Sequence, residues 1–182
     1  KRARIVMRIC LSLPDTEAGF PREKIILTGN PVRQKLLDLA GTRRQAAGDD
    51  CTVLVLGGSQ GAHALNKLVI QAFTEVGKEA LARLRLIHQT GEKDEGWARA
   101  SYRSAGINAT VAAFFQDMPT VYGQADFLIS RAGATTLSEL AVLGLPSILV
   151  PYPYAADNHQ EKNGRYYQSS GGSLLFREEQ LT

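Results

Sequence analysis

Apolar and polar residues alternate with two different periods from residue 24 to the end of the chain. Short, almost continuous apolar runs are typical of strands buried on both faces, and apolar residues at every third or fourth position are typical of amphipathic helices. The apolar runs predict strands at residues 24–29, 51–58, 83–91, 109–115, 126–131, 146–152 and 173–177. The helical pattern predicts helices at residues 31–41, 62–77, 118–124, 135–143 and 157–169, and one more that carries Trp97 and Tyr102.

This regular exchange of strands and helices predicts an α/β fold with a doubly wound, Rossmann-like parallel sheet. Ligands of such sheets bind at the carboxyl ends of the strands, where each strand turns into its helix. Residues 1–23 fit the alternation poorly, so we expect them to be the end of a preceding domain and a link, with residues 24–182 forming the α/β domain. The chain starts at Lys1, and a new helical pattern begins at Glu178 just before it stops, so we expect a truncated piece of a longer protein.

Composition narrows the possible partners only slightly. The chain has 182 residues, is 44% hydrophobic and carries a formal charge of +3, which permits an anionic ligand or an anionic membrane surface without requiring either. Lysine and arginine are scattered without interleaved aromatic residues, so no nucleic-acid partner is predicted. Cys10 and Cys51 lie in apolar runs without CxxC spacing, which favours inert, buried thiols in a reducing cytosolic compartment.

Two strand-to-helix turns have the composition of an anion site. In "LGGSQGAHALN" (56–66), Gly57, Gly58 and Gly61 would let main-chain N–H groups approach an anion beside Ser59, although the loop matches neither GxGxxG nor a P-loop. An ordinary glycine-rich turn is the alternative interpretation. Neither this loop nor any other in the sequence presents a catalytic triad.

The second such turn is "SRAGATTLSEL" (130–140), where Gly133, Ala134, Thr135 and Thr136 precede Glu139. Several N–H groups and hydroxyls could bind a phosphate at this helix start, and Glu139 could accept hydrogen bonds from the two cis hydroxyls of a ribose. The alternative is purely structural: Thr135 or Thr136 caps the helix and Glu139 complements its positive end.

Two further turns carry groups suited to a base and a sugar. In "FFQDMP" (114–119) the two phenylalanines could flank a base while the main chain reads its edge, or they could simply pack in the core. "PYPYAADNHQEKN" (151–163) gathers polar side chains suited to a sugar, or to capping a helix, and these include His159 and Gln160. His63, His88 and His159 have no metal-ligand spacing, so no metal site is predicted.

Together the four turns resemble one family. "GGSQGA" (57–62), "RAGATTLSELAVLGLPSILVPYP" (131–153) and "DNHQEKN" (157–163), preceded by "TGNPVR" (28–33), are similar to the donor-binding C-terminal half of the peptidoglycan N-acetylglucosaminyltransferases of glycosyltransferase family 28. These are two-domain enzymes of the GT-B fold, so the resemblance implies one half of a GT-B glycosyltransferase. The resemblance extends over essentially the whole chain, and the glycine loop combined with the R-x-G-A-x-T-x-x-E segment is highly specific.

The resemblance implies a binding site for the donor UDP-GlcNAc. Main-chain groups of Phe115 would read the uracil, and Glu139 would hold the ribose hydroxyls. The diphosphate would be bound by Ser59, Ala134, Thr135 and Thr136, within phosphate loops formed by Gly57, Gly58, Gly61 and Gly133. Arg33 would reach the UDP-GlcNAc from the side of the other domain. The GlcNAc would be contacted by His159, Gln160 and Asn163. Thr135 departs from the family, in which an apolar residue is common at this position.

The implied activity is the inverting transfer of GlcNAc to a lipid-linked MurNAc-pentapeptide, converting lipid I to lipid II without a metal or other cofactor. The resemblance places acceptor binding and the general base in the N-terminal domain, so no catalytic residue is expected in this half and the chain alone is expected to be inactive. It also implies that the full-length protein is peripheral to an anionic membrane surface, at the cytoplasmic face of the plasma membrane. The alternatives are the donor domain of a diacylglycerol galactosyltransferase or of a split dolichol-pathway enzyme, and a non-catalytic nucleotide-binding module.

Overall fold

The structure is a computed structural model that describes residues 5–13, 19–41, 50–58 and 62–181. The strands are β1 (Ile9–Leu11), β2 (Ile25–Leu27), β3 (Cys51–Leu56), β4 (Leu84–Gln89), β5 (Ala109–Ala112), β6 (Phe127–Ser130), β7 (Ser147–Leu149) and β8 (Ser173–Leu175). The helices are α1 (Gln34–Ala40), α2 (His63–Glu75), α3 (Lys78–Leu81), α4 (Glu95–Ser104), α5 (Met118–Gln124), α6 (Ala134–Leu143) and α7 (His159–Ser169), with short 3₁₀ turns at Arg22–Lys24, Ala156–Asn158 and Glu178–Gln180.

Six of the strands form one parallel sheet in the order β5-β4-β3-β6-β7-β8. The chain runs outward from β3 to β5 and then returns to the other side of β3 with β6, so its direction reverses between β3 and β6. This is the doubly wound arrangement that the sequence predicts, and the prediction is confirmed.

Helices cover both faces of this sheet. Alternate strand residues point to opposite faces, so Leu54 packs with α1, α5 and α6, whereas its neighbours Val53 and Val55 pack with α2 and α4. The two hydrophobic clusters account for the near-continuous apolar runs, because both faces of each central strand are buried. None of the helices in the described ranges combines the length and the apolar character that a membrane crossing requires.

β1 and β2 lie outside the main sheet and pair with each other in parallel, with Ile9 opposite Ile25. The predicted domain boundary after residue 23 falls between these paired strands and stays a prediction. Cys10 on β1 is exposed, so the expectation that its thiol is buried is wrong: β1 belongs to a separate two-stranded sheet and not to the six-stranded sheet whose two faces are covered. Cys51 is half-buried, and both thiols are free.

Several predicted strands end earlier than expected. The apolar run 109–115 yields only Ala109–Ala112, and the run 146–152 yields only Ser147–Leu149. The remaining apolar residues, among them Phe115 and Pro151, belong to turns, and hydrophobicity alone does not separate an apolar turn from the strand before it. The short helix α3 was also absent from the predicted pattern.

Candidate functional site

The four turns identified in the sequence follow β3, β5, β6 and β7, which are strands of one parallel sheet. Because the strands are parallel, their carboxyl ends lie at one edge of the sheet, and all four turns follow strands that end there. The turns after β3 and β6 flank the point at which the chain reverses direction, which is where open α/β sheets bind their ligands.

The start of α6 offers main-chain donors to this edge. Gly133 is the N-cap, and no side chain among the described residues accepts a hydrogen bond from the first turn. Thr135 and Thr136 therefore lie inside the first turn with Ala134 rather than capping it, so the capping interpretation is wrong. A Cβ built at Gly133 would meet no atom within 4 Å, so the absence of a side chain leaves open space beside these N–H groups.

The glycine turn after β3 is constrained by close packing at its first residue. A Cβ at Gly57 would lie 3.0 Å from the main-chain nitrogen of Ala62, and Gly58 has a φ of +87° that favours glycine. α2 begins directly after this turn, again without a side-chain cap at Ala62. The predicted contacts Ser59 and Gly61 lie outside the described residues.

Glu139 lies one turn further along α6 and is only 7% exposed. The Arg33 guanidinium donates to its Oε1 at 3.1 Å, and the Tyr122 hydroxyl donates to its Oε2 at 2.8 Å. Glu139 is outside the first turn of α6, so a simple charge–dipole role does not explain it. Close to Arg33 and Glu139, the Asn30 amide donates to the Thr135 hydroxyl at 3.4 Å. The segment 30–33 therefore lies against the first turn of α6, whose main-chain N–H groups are the predicted phosphate ligands.

The two phenylalanines of the turn after β5 differ in their exposure to solvent. Phe114 is 51% exposed, whereas Phe115 packs against the core cluster that contains α5 and α6. The main-chain N–H of Phe115 donates to the Gln89 side-chain oxygen at 3.0 Å. Asp117 caps α5 by accepting from the N–H of Thr120, as its position before a helix predicts.

The turn after β7 is held in an unusual backbone conformation. Asp157 and Asn158 have φ values of 51° and 52°, and they are the only described non-glycine residues at positive φ. They lead directly into α7, where His159 lies at the exposed first position and Gln160 accepts from the Tyr152 N–H at 3.0 Å.

Asn163 lies one turn beyond His159 on α7. It is buried and donates to the Ala132 carbonyl at 3.3 Å, which ties α7 to the turn before α6. Asn163 therefore lies next to the predicted phosphate-binding turn, whereas the hydrogen bonds of His159 and Gln160 are to Ala156 and Tyr152 of the turn after β7.

A buried polar network that no sequence motif predicts connects α2 with β4 and with the turn after β4. The Asn66 amide donates to the Thr90 carbonyl at 2.9 Å and to Asp94 Oδ2 at 2.8 Å, while its oxygen contacts His88 Nε2 at 3.1 Å. His63 reaches Asp94 at 2.9 Å. The pKa of Asp94 is low: burial opposes the shift, but hydrogen bonds from His63 and Asn66 outweigh it. No pattern in the sequence pairs these residues, because the network joins α2 to β4 and to the turn after β4, more than 20 residues away along the chain.

The chain resembles known proteins over nearly its whole length. Residues 52–182 match the model of the glycosyltransferase family 28 C-terminal domain. The chain is 56% identical over 182 residues to the UDP-N-acetylglucosamine–N-acetylmuramyl-(pentapeptide) pyrophosphoryl-undecaprenol N-acetylglucosamine transferase of Desulfotalea psychrophila, covering 100% of this chain and 49% of that protein. It is 40% identical to the transferase of the same name from Geobacter sulfurreducens, covering 99% of this chain and 50% of that protein.

Solved structures agree with this relationship. MurG of Acinetobacter baumannii superposes with a TM-score of 0.77 at 31% identity, covering 99% of this chain and 49% of that one. A glycosyltransferase of kitacinnamycin superposes with a TM-score of 0.65 at 16% identity, covering 98% of this chain and 44% of that one, which supports the fold alone. The chain thus spans about half the length of the curated relatives it matches.

Proposed function

The chain belongs to glycosyltransferase family 28, and we propose that it is the donor-binding domain of an enzyme that transfers GlcNAc from UDP-GlcNAc to lipid-linked MurNAc-pentapeptide. The observation that carries the proposal is the start of α6: an uncapped helix end at the reversal point of the sheet, with a buried carboxylate one turn behind it. A diphosphate suits the first feature, and the diol of a ribose suits the second.

The proposed chemistry is an inverting displacement. The acceptor hydroxyl attacks the anomeric carbon of GlcNAc, the bond from that carbon to UDP breaks, and the acceptor proton passes to a base outside this chain. The charge that develops on the leaving UDP would be stabilised by the N–H groups of Ala134, Thr135 and Thr136 and by the positive end of α6.

Two of the groups proposed to contact UDP-GlcNAc already form hydrogen bonds within the chain. Arg33 donates to Oε1 of Glu139, and the Phe115 N–H donates to the Gln89 side-chain oxygen. A ribose that binds Glu139 would therefore exchange with Arg33, which is 56% exposed and free to turn toward the diphosphate. A uracil that accepts from Phe115 would likewise exchange with Gln89.

The sugar would lie against α7. His159 is exposed at the first position of that helix, and the Gln160 oxygen is held by Tyr152, so the Gln160 amide can donate to a sugar hydroxyl. Asn163 would contribute by holding the 131–133 turn against α7. The lipid-linked acceptor and an anionic membrane surface at the cytoplasmic face are proposed partners of the longer protein.

Calorimetry with the chain tests the donor class. We expect UDP to bind weakly but measurably, and more tightly than ATP or NAD, because the uracil site would reject a purine. We also expect UDP-GlcNAc to compete better than UDP-galactose. Equal or tighter binding of ATP or NAD would contradict the proposal, and equal competition by UDP-galactose would favour a galactolipid enzyme.

Gln160→Ala separates a sugar-recognising domain from a plain nucleotide-binding module. The substitution removes one hydrogen bond to the sugar, so we expect the affinity for UDP-GlcNAc to fall by roughly three- to tenfold while the affinity for UDP stays unchanged. Gln168→Ala, on the exposed part of the same helix, is the matched control. Unchanged binding of UDP-GlcNAc to the Gln160 variant would indicate that Gln160 does not contact the sugar.

A further inference from the structure

The two carboxylate oxygens of Glu139 have different surroundings. Oε2 accepts from the Tyr122 hydroxyl within the core, where Tyr122 is 0% exposed. Oε1 accepts from Arg33, whose side chain is largely in solvent. Oε1 is therefore the oxygen that a ligand can reach, and Oε2 is the oxygen by which the protein holds the group.

Packing alone does not account for the Tyr122 hydroxyl. Tyr122 lies on α5 within the cluster formed by α1, α5 and α6, where a phenylalanine would supply the same ring. Its hydroxyl instead crosses from α5 to α6 and meets the Glu139 carboxylate. Burial, and then the Glu139 charge, raise the pKa of Tyr122, so the phenol stays protonated and remains a donor.

We propose that Tyr122 is a positioning residue that fixes the Glu139 carboxylate for recognition of the ribose diol, an inference that rests on the proposed function. A carboxylate held through one oxygen has a fixed orientation, and its other oxygen, Oε1, lies on the side of the partly exposed Arg33. Arg33 keeps that oxygen paired until the ribose replaces the guanidinium. Without the Tyr122 hydroxyl, the carboxylate is free to rotate, and Oε1 no longer has a fixed position from which to accept hydrogen bonds from the two cis hydroxyls.

The test compares two ligands that differ by one hydroxyl, UDP and 2′-deoxyuridine 5′-diphosphate, by calorimetry on the chain and on Tyr122→Phe. We expect the unsubstituted chain to prefer UDP by about tenfold or more, as a hydrogen bond to a charged group implies. In Tyr122→Phe we expect this preference to shrink by at least about threefold. A role in packing alone would weaken both ligands equally and leave the preference unchanged, which would overturn the inference.

Tyr102→Phe is the matched control. Tyr102 is also a buried tyrosine that shares one hydrogen bond, with His88, but it packs in the cluster on the other face of the sheet. We expect it to keep the full preference for UDP, with thermal unfolding reporting how far each variant is destabilised. If UDP binds neither the unsubstituted chain nor the variants, the proposed function fails; if UDP binds and the preference is the same in all three proteins, only the role of Tyr122 fails.

Discussion

At the scale of single residues, His88 illustrates what a fully buried titratable group contributes. Its ring nitrogens contact the Tyr102 hydroxyl at 2.8 Å and the Asn66 side chain at 3.1 Å, so the neutral ring is fully paired. Burial lowers the pKa of His88 to about 4, and the nearby Asp94 charge offsets only part of that effect. Protonating this ring in the folded chain is therefore unfavourable.

The low pKa of His88 predicts a pH-dependent stability. The unfolded imidazole titrates near 6.5, so between about pH 6.5 and pH 4 the unfolded chain binds more protons than the folded one. The free energy of unfolding should fall as the pH drops through this window, by up to about 3 kcal/mol, and His88 should contribute no further change above it. Urea unfolding at several pH values measures this slope.

The His88 contribution is isolated by comparing variants. His88→Asn should have a shallower slope between pH 6.5 and 4 than the unsubstituted chain, keeping only the part that comes from carboxylates of lowered pKa such as Asp94 and Glu161. His159→Asn should keep the full slope, since His159 is exposed. The NMR titration of the His88 ring gives an independent reading if the variant is too unstable. A His88 ring that titrates near 6.5 in the folded chain would contradict the account.

Motifs in the sequence identify Glu139 and Phe115, but not Tyr122 and Gln89, the residues that hydrogen-bond to them. Glu139 stands out because it follows a run of small residues at a helix start, a pattern visible within ten residues of chain. Tyr122 and Gln89 carry no such signal, because their partners lie 17 and 26 residues away on other elements. Only the packing of α5 on α6, and of β4 beside β5, brings these groups together.

At the scale of elements, α6 begins without a side-chain cap among the described residues and ends at a well-defined glycine cap. Gly144 terminates it in the left-handed conformation, with φ 59° and ψ 35°, and its N–H donates to the carbonyls of Leu140 and Ala141. The sequence predicts this helix to within one residue, because a glycine stop and an apolar stripe both mark it. It predicts strand ends less well, because turns rich in phenylalanine or proline extend the apolar runs.

Gly144→Ala should lower the free energy of unfolding by about 1 kcal/mol. A Cβ there would meet nothing within 4 Å, so the loss is conformational and not steric. Gly96→Ala is the control, since Gly96 is an exposed helical glycine with equally open surroundings, and alanine should leave the chain as stable or more stable. Chemical unfolding measures both, and equal effects of the two substitutions would contradict this assignment.

At the scale of the whole molecule, parallel topology converts four separate turns into one surface. The sequence predicts the fold class from its periodicity, and one edge for the turns then follows because parallel strands all end on the same side. The pairing of β1 with β2 apart from the main sheet was not predicted, because periodicity identifies strands without identifying their neighbours.

Amide chemical shifts recorded during a UDP titration give the most direct test of the proposed binding edge. We expect the largest changes at the start of α6, residues 133–136, at residues 57–58 and 115, and at the start of α7. ATP at equal concentration should produce smaller changes. Changes concentrated at the opposite edge, where residues 83, 125–126 and 145–146 lead into the strands, would contradict the proposed binding edge. So would equal responses to UDP and ATP.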